Sequence, residues 1–317
     1  MEIKKAVITA GGRGARLFPA ANTVHKAMLP LIDRDGLAKP VLQIIAEEAL
    51  ASGIEEVCVV CAPGDEEQYR GTFQALRENL MEGYENVDWA REQAGRVDEL
   101  LRRLRFAVQA EPLGYGHAVY CAREFTGSDP FLLLLSDHLY VSHRPSRCAQ
   151  QLIDLATEEE CAVAAVHSTP EHLVGRYGTL TGKHTTRHAG VYRIERILEK
   201  PSLSVAEQSL LTAGLRSGHY LCFFGMHVLT PAIFTLLEQA LAEAQGRAVQ
   251  LTPSLQELAR REQYLALEVA GSRYDIGRKF GLLQTQLALA MAGVDRDEAL
   301  RTLVELTAHT RLEPRAE

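Results

Sequence analysis

The chain has 317 residues, 46% of them hydrophobic and 24% charged, with 34 Lys and Arg against 41 Asp and Glu for a formal charge of −7. That length and balance suit one large α/β domain, or two ordinary ones, with a sizeable buried core. The acidic excess excludes a general attraction to nucleic acid or anionic lipid, so any bound phosphate must be met by a few local cations. No stretch approaches the ~20 apolar residues of a membrane span. The opening MEIKKAVITAGG reaches glycine too soon for a secretory signal. The expected location is therefore the cytoplasm, with no nucleic-acid or membrane partner.

In chain order, Lys5–Thr9 reads as a strand, followed by a glycine-rich loop. Val41–Leu50 reads as an amphipathic helix that Gly53 ends. Val57–Ala62 is a second strand and Glu66–Glu82 a helix. Gly83–Arg103 is charged and helix-prone, and reads as a surface insertion. Arg105–Gln109 is a third strand and Gly116–Glu124 a helix. Phe131–Ser136 and Cys161–Val166 are strongly apolar strands. Such near-continuous apolar runs suit a parallel sheet covered on both faces, and the βαβα alternation suits a doubly wound α/β fold.

After Ser168 the texture changes. Thr179–Thr181, Val191–Leu198 and His219–Phe224 read as strands with fewer helices between them, adding mixed or antiparallel strands on one side of a cleft. Helices resume at Ala232–Ala244 and Ser254–Arg261, Leu265–Val269 is a late strand, and Phe280–Ala292 with Asp297–Ala308 form a terminal helical pair. The six cysteines fit a reducing compartment. Cys58 and Cys61 form a C-x-x-C inside a strand, where residues three apart face opposite ways. Both read as core thiols, without further ligands at zinc spacing.

Four segments can carry chemistry. Ala10–Arg16 (AGGRGAR) follows the first strand, where open α/β sheets bind ligands. It matches neither a Walker A loop nor the G-x-G-x-x-G spacing, but its glycines admit backbone N–H groups to phosphate oxygens. Arg13, Arg16 and Lys26 add charge; the plain alternative is a tight turn with solvated arginines. Gln109 closes a strand before Gly114-Tyr-Gly-His-Ala118. Its amide both donates and accepts, which suits a nucleobase edge, and the glycines leave room for a base to lie on the backbone; taken alone, the segment reads more simply as a helix N-terminus after a Pro-Leu-Gly turn. Asp137 and Asp275 each follow an apolar strand, either as N-caps or as carboxylates for Mg²⁺, which completes its shell with phosphate and water. In Glu199-Lys200-Pro201 the acid suits sugar hydroxyls and the lysine a phosphate; the alternative is an exposed strand end.

These motifs come in one order: AGGRGARLFPA and HKAMLPL, then LGYGHA, LLSDH, YG, EKP, SGHY and YDIGRKFG. In that order the chain resembles the sugar nucleotidyltransferases, and most closely the bacterial UTP–glucose-1-phosphate uridylyltransferases, from about Val7 to Ala290. The resemblance implies a Rossmann-like nucleotidyltransferase fold, with a mostly parallel mixed central sheet and C-terminal helices. It divides the chain into a catalytic domain over 1–280 and a helical extension over 281–317.

It also implies roles. Ala10, Gly11, Gln109 and Gly114 would contact uracil and ribose. Gly12, Arg16 and Lys26 would hold the triphosphate. Asp137 and Asp275 would bind Mg²⁺. Gly178, Glu199 and Gly218 would contact glucose, and Lys200 its phosphate. The substrates would be UTP and glucose 1-phosphate, and the protein a dimer or tetramer.

Three positions depart from the family pattern. Ala15 replaces a usual Thr, Arg34–Lys39 lengthens the segment before the first long helix, and His138 stands where an apolar residue is usual. A sugar 1-phosphate is its own nucleophile, so the expected work of Arg16, Lys26, Lys200 and the metal is neutralisation and in-line alignment. The alternatives are a thymidylyl- or cytidylyltransferase, another sugar phosphate, or a non-catalytic nucleotide-sugar sensor. A sensor would be expected to lose the metal carboxylates or site lysines, and all four are present.

Overall fold

The computed structural model describes residues 1–12 and 24–309. Its first strand, β1 (Lys5–Thr9), is followed by a small hairpin of β2 (Pro30–Ile32) and β3 (Ala38–Pro40). Helix α1 (Val41–Leu50) leads into β4 (Glu56–Cys61), and β5 (Leu104–Val108) lies outside it. β6 (Phe131–Leu135) flanks β1 on the other side, and β1, β4, β5 and β6 all run parallel. β1, β4 and β6 are apolar runs because both their faces are covered, whereas the edge strand β5 is partly exposed. Val7 and Leu133 pack into one layer, Ile8 and Leu134 into the other, which is the period-two alternation of a strand.

β8 (Ala162–Pro170), β9 (Gly178–His184), β10 (Val191–Glu199), β11 (His219–Leu229) and β12 (Tyr264–Glu268) complete a nine-stranded sheet in the order β5-β4-β1-β6-β11-β8-β12-β10-β9. β11 and β10 run against their neighbours, so the sheet is mixed but mostly parallel, as expected. β9 also pairs with the first half of β11, which curls this end of the sheet back on itself. α1 and α6 (Cys148–Glu159) cover one face. α4 (Tyr115–Tyr120), α8 (Ala232–Ala244) and α9 (Leu251–Arg261) cover the other.

One reading changes, and another gains its structural form. The charged stretch before β5 is helix α3 (Asp88–Arg103), packed on α2 (Asp65–Tyr84), and is not a surface insertion. Ala90, Gln93, Ala94, Val97 and Leu100 form a buried stripe at helical spacing under the charged face. The lengthened segment 34–39 builds the β2–β3 hairpin, where buried Lys39 lies 3.0 Å from Asp33, 2.6 Å from Asp35 and 2.9 Å from Glu47. A buried ammonium is tolerable only with such partners. Cys58 and Cys61 are buried free thiols, each pushed up to about 12 by burial, as expected of core residues. Two short helices, α5 (Arg123–Thr126) and α7 (Leu203–Ser209), join longer elements, and the terminal helices are α10 (Gly281–Met291) and α11 (Arg296–His309).

Candidate active site

After β6 the chain turns at Ser136-Asp137 into β7 (His138–Ser142), which leaves the central sheet. β7 pairs antiparallel with β13 (Gly271–Asp275), and the register sets His138 opposite Asp275. The Ile276 N–H donates to the Asp137 carbonyl at 3.0 Å, fastening the two segments. Asp137, His138 and Asp275 thereby offer ligand atoms within 4.8 Å of one another. The Gly277 N–H donates to Asp275 Oδ1 at 2.8 Å. A Cβ on Gly277 would lie 3.0 Å from Asp275 Oδ1 and 3.2 Å from Asp137 Oδ2, so only glycine leaves that space between the carboxylates. Contrary to the expectation from the sequence, Asp275 does not follow the late strand of the central sheet directly. It ends a separate strand, and that pairing carries it to Asp137.

Lys26 sits on a short 3-10 turn (Lys26–Met28), capped by His25 Nδ1 accepting from the Ala27 N–H. Its buried ammonium donates to Asp137 Oδ2 at 2.6 Å. Arg16 lies outside the described residues.

Across the cavity, the β9–β10 register places Gly178 beside Glu199. A Cβ on Gly178 would meet the Phe223 ring at 2.6 Å and Glu199 Oε2 at 3.3 Å, so close packing demands the glycine. The Thr252 hydroxyl donates to Glu199 Oε2 at 2.6 Å, fixing the carboxylate. Lys200 carries a left-handed backbone at φ 44 immediately before Pro201. Such conformations are costly for a non-glycine residue and cluster at functional sites. The Lys200 N–H to Tyr177 carbonyl bond of 3.1 Å and the strand register hold it, while the side chain stays 60% exposed.

Asp137, His138, Asp275, Gly178, Glu199 and Lys200 line one cavity of about 360 Å³. Arg176, Arg273, Tyr115 and Gly225 line it too, and the sequence reading named none of them. Arg273 stacks on the Tyr177 ring at 4.3 Å and donates to the Phe223 carbonyl at 2.7 Å. Gly218, assigned to the sugar from SGHY, is not among the lining residues. It turns the chain before β11, where the Glu171 N–H donates to its carbonyl at 2.8 Å. Gly225, seven residues on, has φ 91 and sits in the irregularity of β11 between Phe223 and His227, against the cavity. A lone glycine inside an apolar strand run is the signal that finds it.

The residues expected to meet the nucleotide gather at the neighbouring strand ends. Ala10 is buried and donates its N–H to the Val60 carbonyl at 2.7 Å. Gln109 Nε2 donates to the Gly114 carbonyl at 3.1 Å and lies 3.2 Å from His117 Nδ1. A Cβ on Gly11 would meet Gln109 Oε1 at 2.8 Å, whereas Gly12 has nothing within 4 Å of that point. Ala10, Gly11, Gln109 and Gly114 therefore form one patch, with Gly12 open beside it. Gly114 needs its glycine for another reason than room for a base. At φ 95, its Cβ side is closed by the Val249 backbone at 2.5 Å, and the Gly116 N–H donates to the Val249 carbonyl at 2.8 Å. Tyr115 joins patch and cavity: it lines the cavity and directly follows Gly114. Burial pushes its hydroxyl above the ordinary tyrosine range.

His227, also on the cavity wall, is buried with its Nδ1 2.8 Å from the Tyr264 hydroxyl. Burial lowers it from 6.5 to about 3, so the folded protein holds it neutral. Between those values the unfolded chain takes up a proton that the folded chain refuses. Its contribution is therefore complete above pH 6.5 and falls as pH drops toward 3. Denaturation midpoints should decline from pH 7 to pH 5, and His227→Gln should flatten that decline. Equal slopes in the two proteins would refute the assignment.

A mostly parallel sheet with two carboxylates and several cations gathered beyond its strand ends is the architecture of an α/β enzyme for phosphorylated ligands. The profile of the nucleotidyl transferase family matches residues 5–291, and the chain belongs to that family. It is 30% identical over 313 residues to a UTP–glucose-1-phosphate uridylyltransferase of Staphylococcus epidermidis, spanning 96% of this chain and 98% of the relative. To the enzyme of that name from Bacillus subtilis it is 32% identical over 304 residues, spanning 95% and 94%. Among solved structures, a UTP-bound UGPase from Acinetobacter baumannii superposes with a TM-score of 0.78 at 26% identity, covering 96% of this chain and 99% of that one. A UDP-glucose pyrophosphorylase complexed with UDP-glucose gives 0.71 at 26% identity, covering 90% and 98%.

Proposed function

We propose that the protein transfers the uridylyl group of UTP to glucose 1-phosphate, releasing pyrophosphate and forming UDP-glucose. The observation that carries this reading is the cavity joining Asp275 and Asp137, to which Lys26 donates, to the Gly178–Glu199–Lys200 wall. Relatives with that named activity match nearly the whole chain.

A phosphate oxygen of the sugar phosphate attacks the α-phosphorus of UTP. The α–β bridging P–O bond breaks and pyrophosphate departs, so no protein nucleophile is consumed. The chain's residues align two anions and offset their repulsion. Lys26 and Arg16 hold the triphosphate. Lys200 holds the phosphate of glucose, and Glu199, fixed by Thr252, accepts from sugar hydroxyls beside Gly178. Gln109 reads the uracil edge next to Ala10, Gly11 and Gly114, and Gly12 presents its backbone to phosphate. Two carboxylates with oxygens facing one glycine-sized space suit an oxygen-loving dication, and we assign Asp137 and Asp275 to Mg²⁺. When bound, that ion neutralises phosphate charge and withdraws electrons from the α-phosphorus.

The test is pyrophosphate release across a panel of triphosphates and sugar 1-phosphates. A buried polar group left unpaired by the wrong base costs about 1–3 kcal/mol, so UTP should outpace CTP and the purines, with dTTP the nearest rival. Equal turnover of UTP and ATP would sink the assignment of Gln109.

We divide the chain into a catalytic part, 1–280, and a helical extension, 281–317, and assign the extension to self-association as a dimer or tetramer. Leu283, Val294 and Val304 on and between α10 and α11 are 58%, 74% and 64% exposed, an apolar display that a second copy would cover. Val294→Asp with Val304→Asp should lower the mass measured by light scattering to that of one chain; an unchanged oligomer would overturn this. Six unbridged thiols suit a reducing cytoplasm. No described helix is long and apolar enough to cross a membrane.

A further inference from the structure

We propose that His138 is a third protein ligand of the divalent cation held by Asp137 and Asp275, giving a mixed carboxylate–imidazole site that favours transition-metal dications over Mg²⁺. The proposal rests on the metal reading of the two carboxylates given above.

Three observations carry it. First, the β7–β13 register sets His138 directly opposite Asp275, and the ring follows Asp137 in the chain. Second, the donor atoms are close. His138 Nε2 lies 4.0 Å from Asp137 Oδ1, and all three residues offer ligand atoms within 4.8 Å. Metal–ligand bonds of about 2.0–2.1 Å allow two ligands to stand at most ~4.2 Å apart, so only small side-chain shifts are needed. The two oxygens of Asp137 are already divided, with Oδ2 accepting from Lys26 at 2.6 Å and Oδ1 on the histidine side. Third, the imidazole is held in place. Its side chain is 12% exposed, and any Cβ on Gly225 would collide with its Nδ1, so the bulge in β11 is shaped around the ring. A ligand fixed before the ion arrives loses little freedom on binding.

The chemical consequence is a change of preference. Carboxylates suit Mg²⁺, Ca²⁺ and Mn²⁺, whereas imidazole brings affinity for later first-row dications and adds little for Mg²⁺.

The experiment uses the full chain with Mn²⁺ alone, without nucleotide, so that uracil nitrogens contribute nothing. Pulsed electron paramagnetic resonance on bound Mn²⁺ should show coupling to a directly bound ¹⁴N. That coupling should convert to a ¹⁵N pattern when the protein is grown on ¹⁵N-histidine. His138→Leu should abolish the coupling and weaken Mn²⁺ binding at least about tenfold, since even residues that only support metal ligands are worth 10–100-fold. Mg²⁺ affinity, read by competition against Mn²⁺, should change less than about threefold. If His138→Leu fails to fold, loss of the ¹⁵N-histidine coupling in Asp275→Asn decides, because that variant empties this site and leaves the Glu158–Glu159–His188 cluster intact.

Absence of histidine coupling in wild type, with Mn²⁺ binding lost in Asp137→Asn, would overturn the role of His138 and leave the carboxylate site standing. Wild-type Mn²⁺ affinity in both Asp137→Asn and Asp275→Asn would overturn the carboxylate site and the third ligand together.

Discussion

Asp137→Asn and Asp275→Asn should each fold as the wild type does and each lose at least ~10²-fold in turnover, the scale of removing a major electrostatic contact at a reacting centre. The substitution keeps the shape. An Asn Oδ1 still accepts from the Gly277 N–H at position 275, and at position 137 it still offers an oxygen to the Lys26 ammonium. What it removes is negative charge, which isolates cation binding from packing. Excess Mg²⁺ should recover part of the loss, because a weakened site is filled by mass action. If these residues served only as turn or cap residues, Asn would replace Asp with little change. Near wild-type turnover in both variants at limiting Mg²⁺ would remove the metal pair from the mechanism. Thermal melts of the variants, taken beside the kinetics, separate lost chemistry from lost fold.

The second large effect is expected at Lys200. Lys200→Ala should lower kcat/KM for glucose 1-phosphate by roughly 10- to 150-fold, the equivalent of about 1.5–3 kcal/mol for a hydrogen bond to a charged group. UTP affinity, measured by calorimetry without the sugar phosphate, should change little. The asymmetry follows from position: Lys200 stands on the Glu199 wall of the cavity, while Gln109 and Gly11 lie beyond Tyr115 at the ends of β1 and β5. Collapse of UTP affinity with intact use of glucose 1-phosphate would show the lysine to be on the wrong substrate. Folding should be unaffected, because the side chain is largely exposed and its strained backbone is held by the Tyr177 carbonyl and the β9–β10 register.

By itself, the sequence determined the elements whose information is local. Apolar runs without alternation marked β1, β4, β6 and β8, because a strand buried on both faces has no polar side to show. Val41–Leu50 and Ala232–Ala244 declared themselves by helical periodicity, and Asp137 by standing just past the most apolar strand. Motif order supplied the family, because residues that serve one chemistry keep their sequence along the chain. Charged composition misled at α3, since a narrow apolar stripe is outweighed by its many charged neighbours until the partner helix α2 is seen.

The tertiary structure decided what depends on pairing between distant segments. Neither β7 nor β13 is conspicuous alone, yet their register is what brings Asp275 to Asp137. Gly218 and Gly225 both have positive φ, at 70 and 91, and both precede an aromatic, histidine or sulfur side chain. The apolar strand run around Gly225 sets it apart locally, but only the path of β11 puts it on the cavity and Gly218 against Glu171. The need for glycine at 114 is set by the Val249 backbone, more than a hundred residues away, which closes against its Cβ side. In each case the deciding neighbour is remote in sequence, and a chain's local pattern carries no record of which remote backbone will close against it.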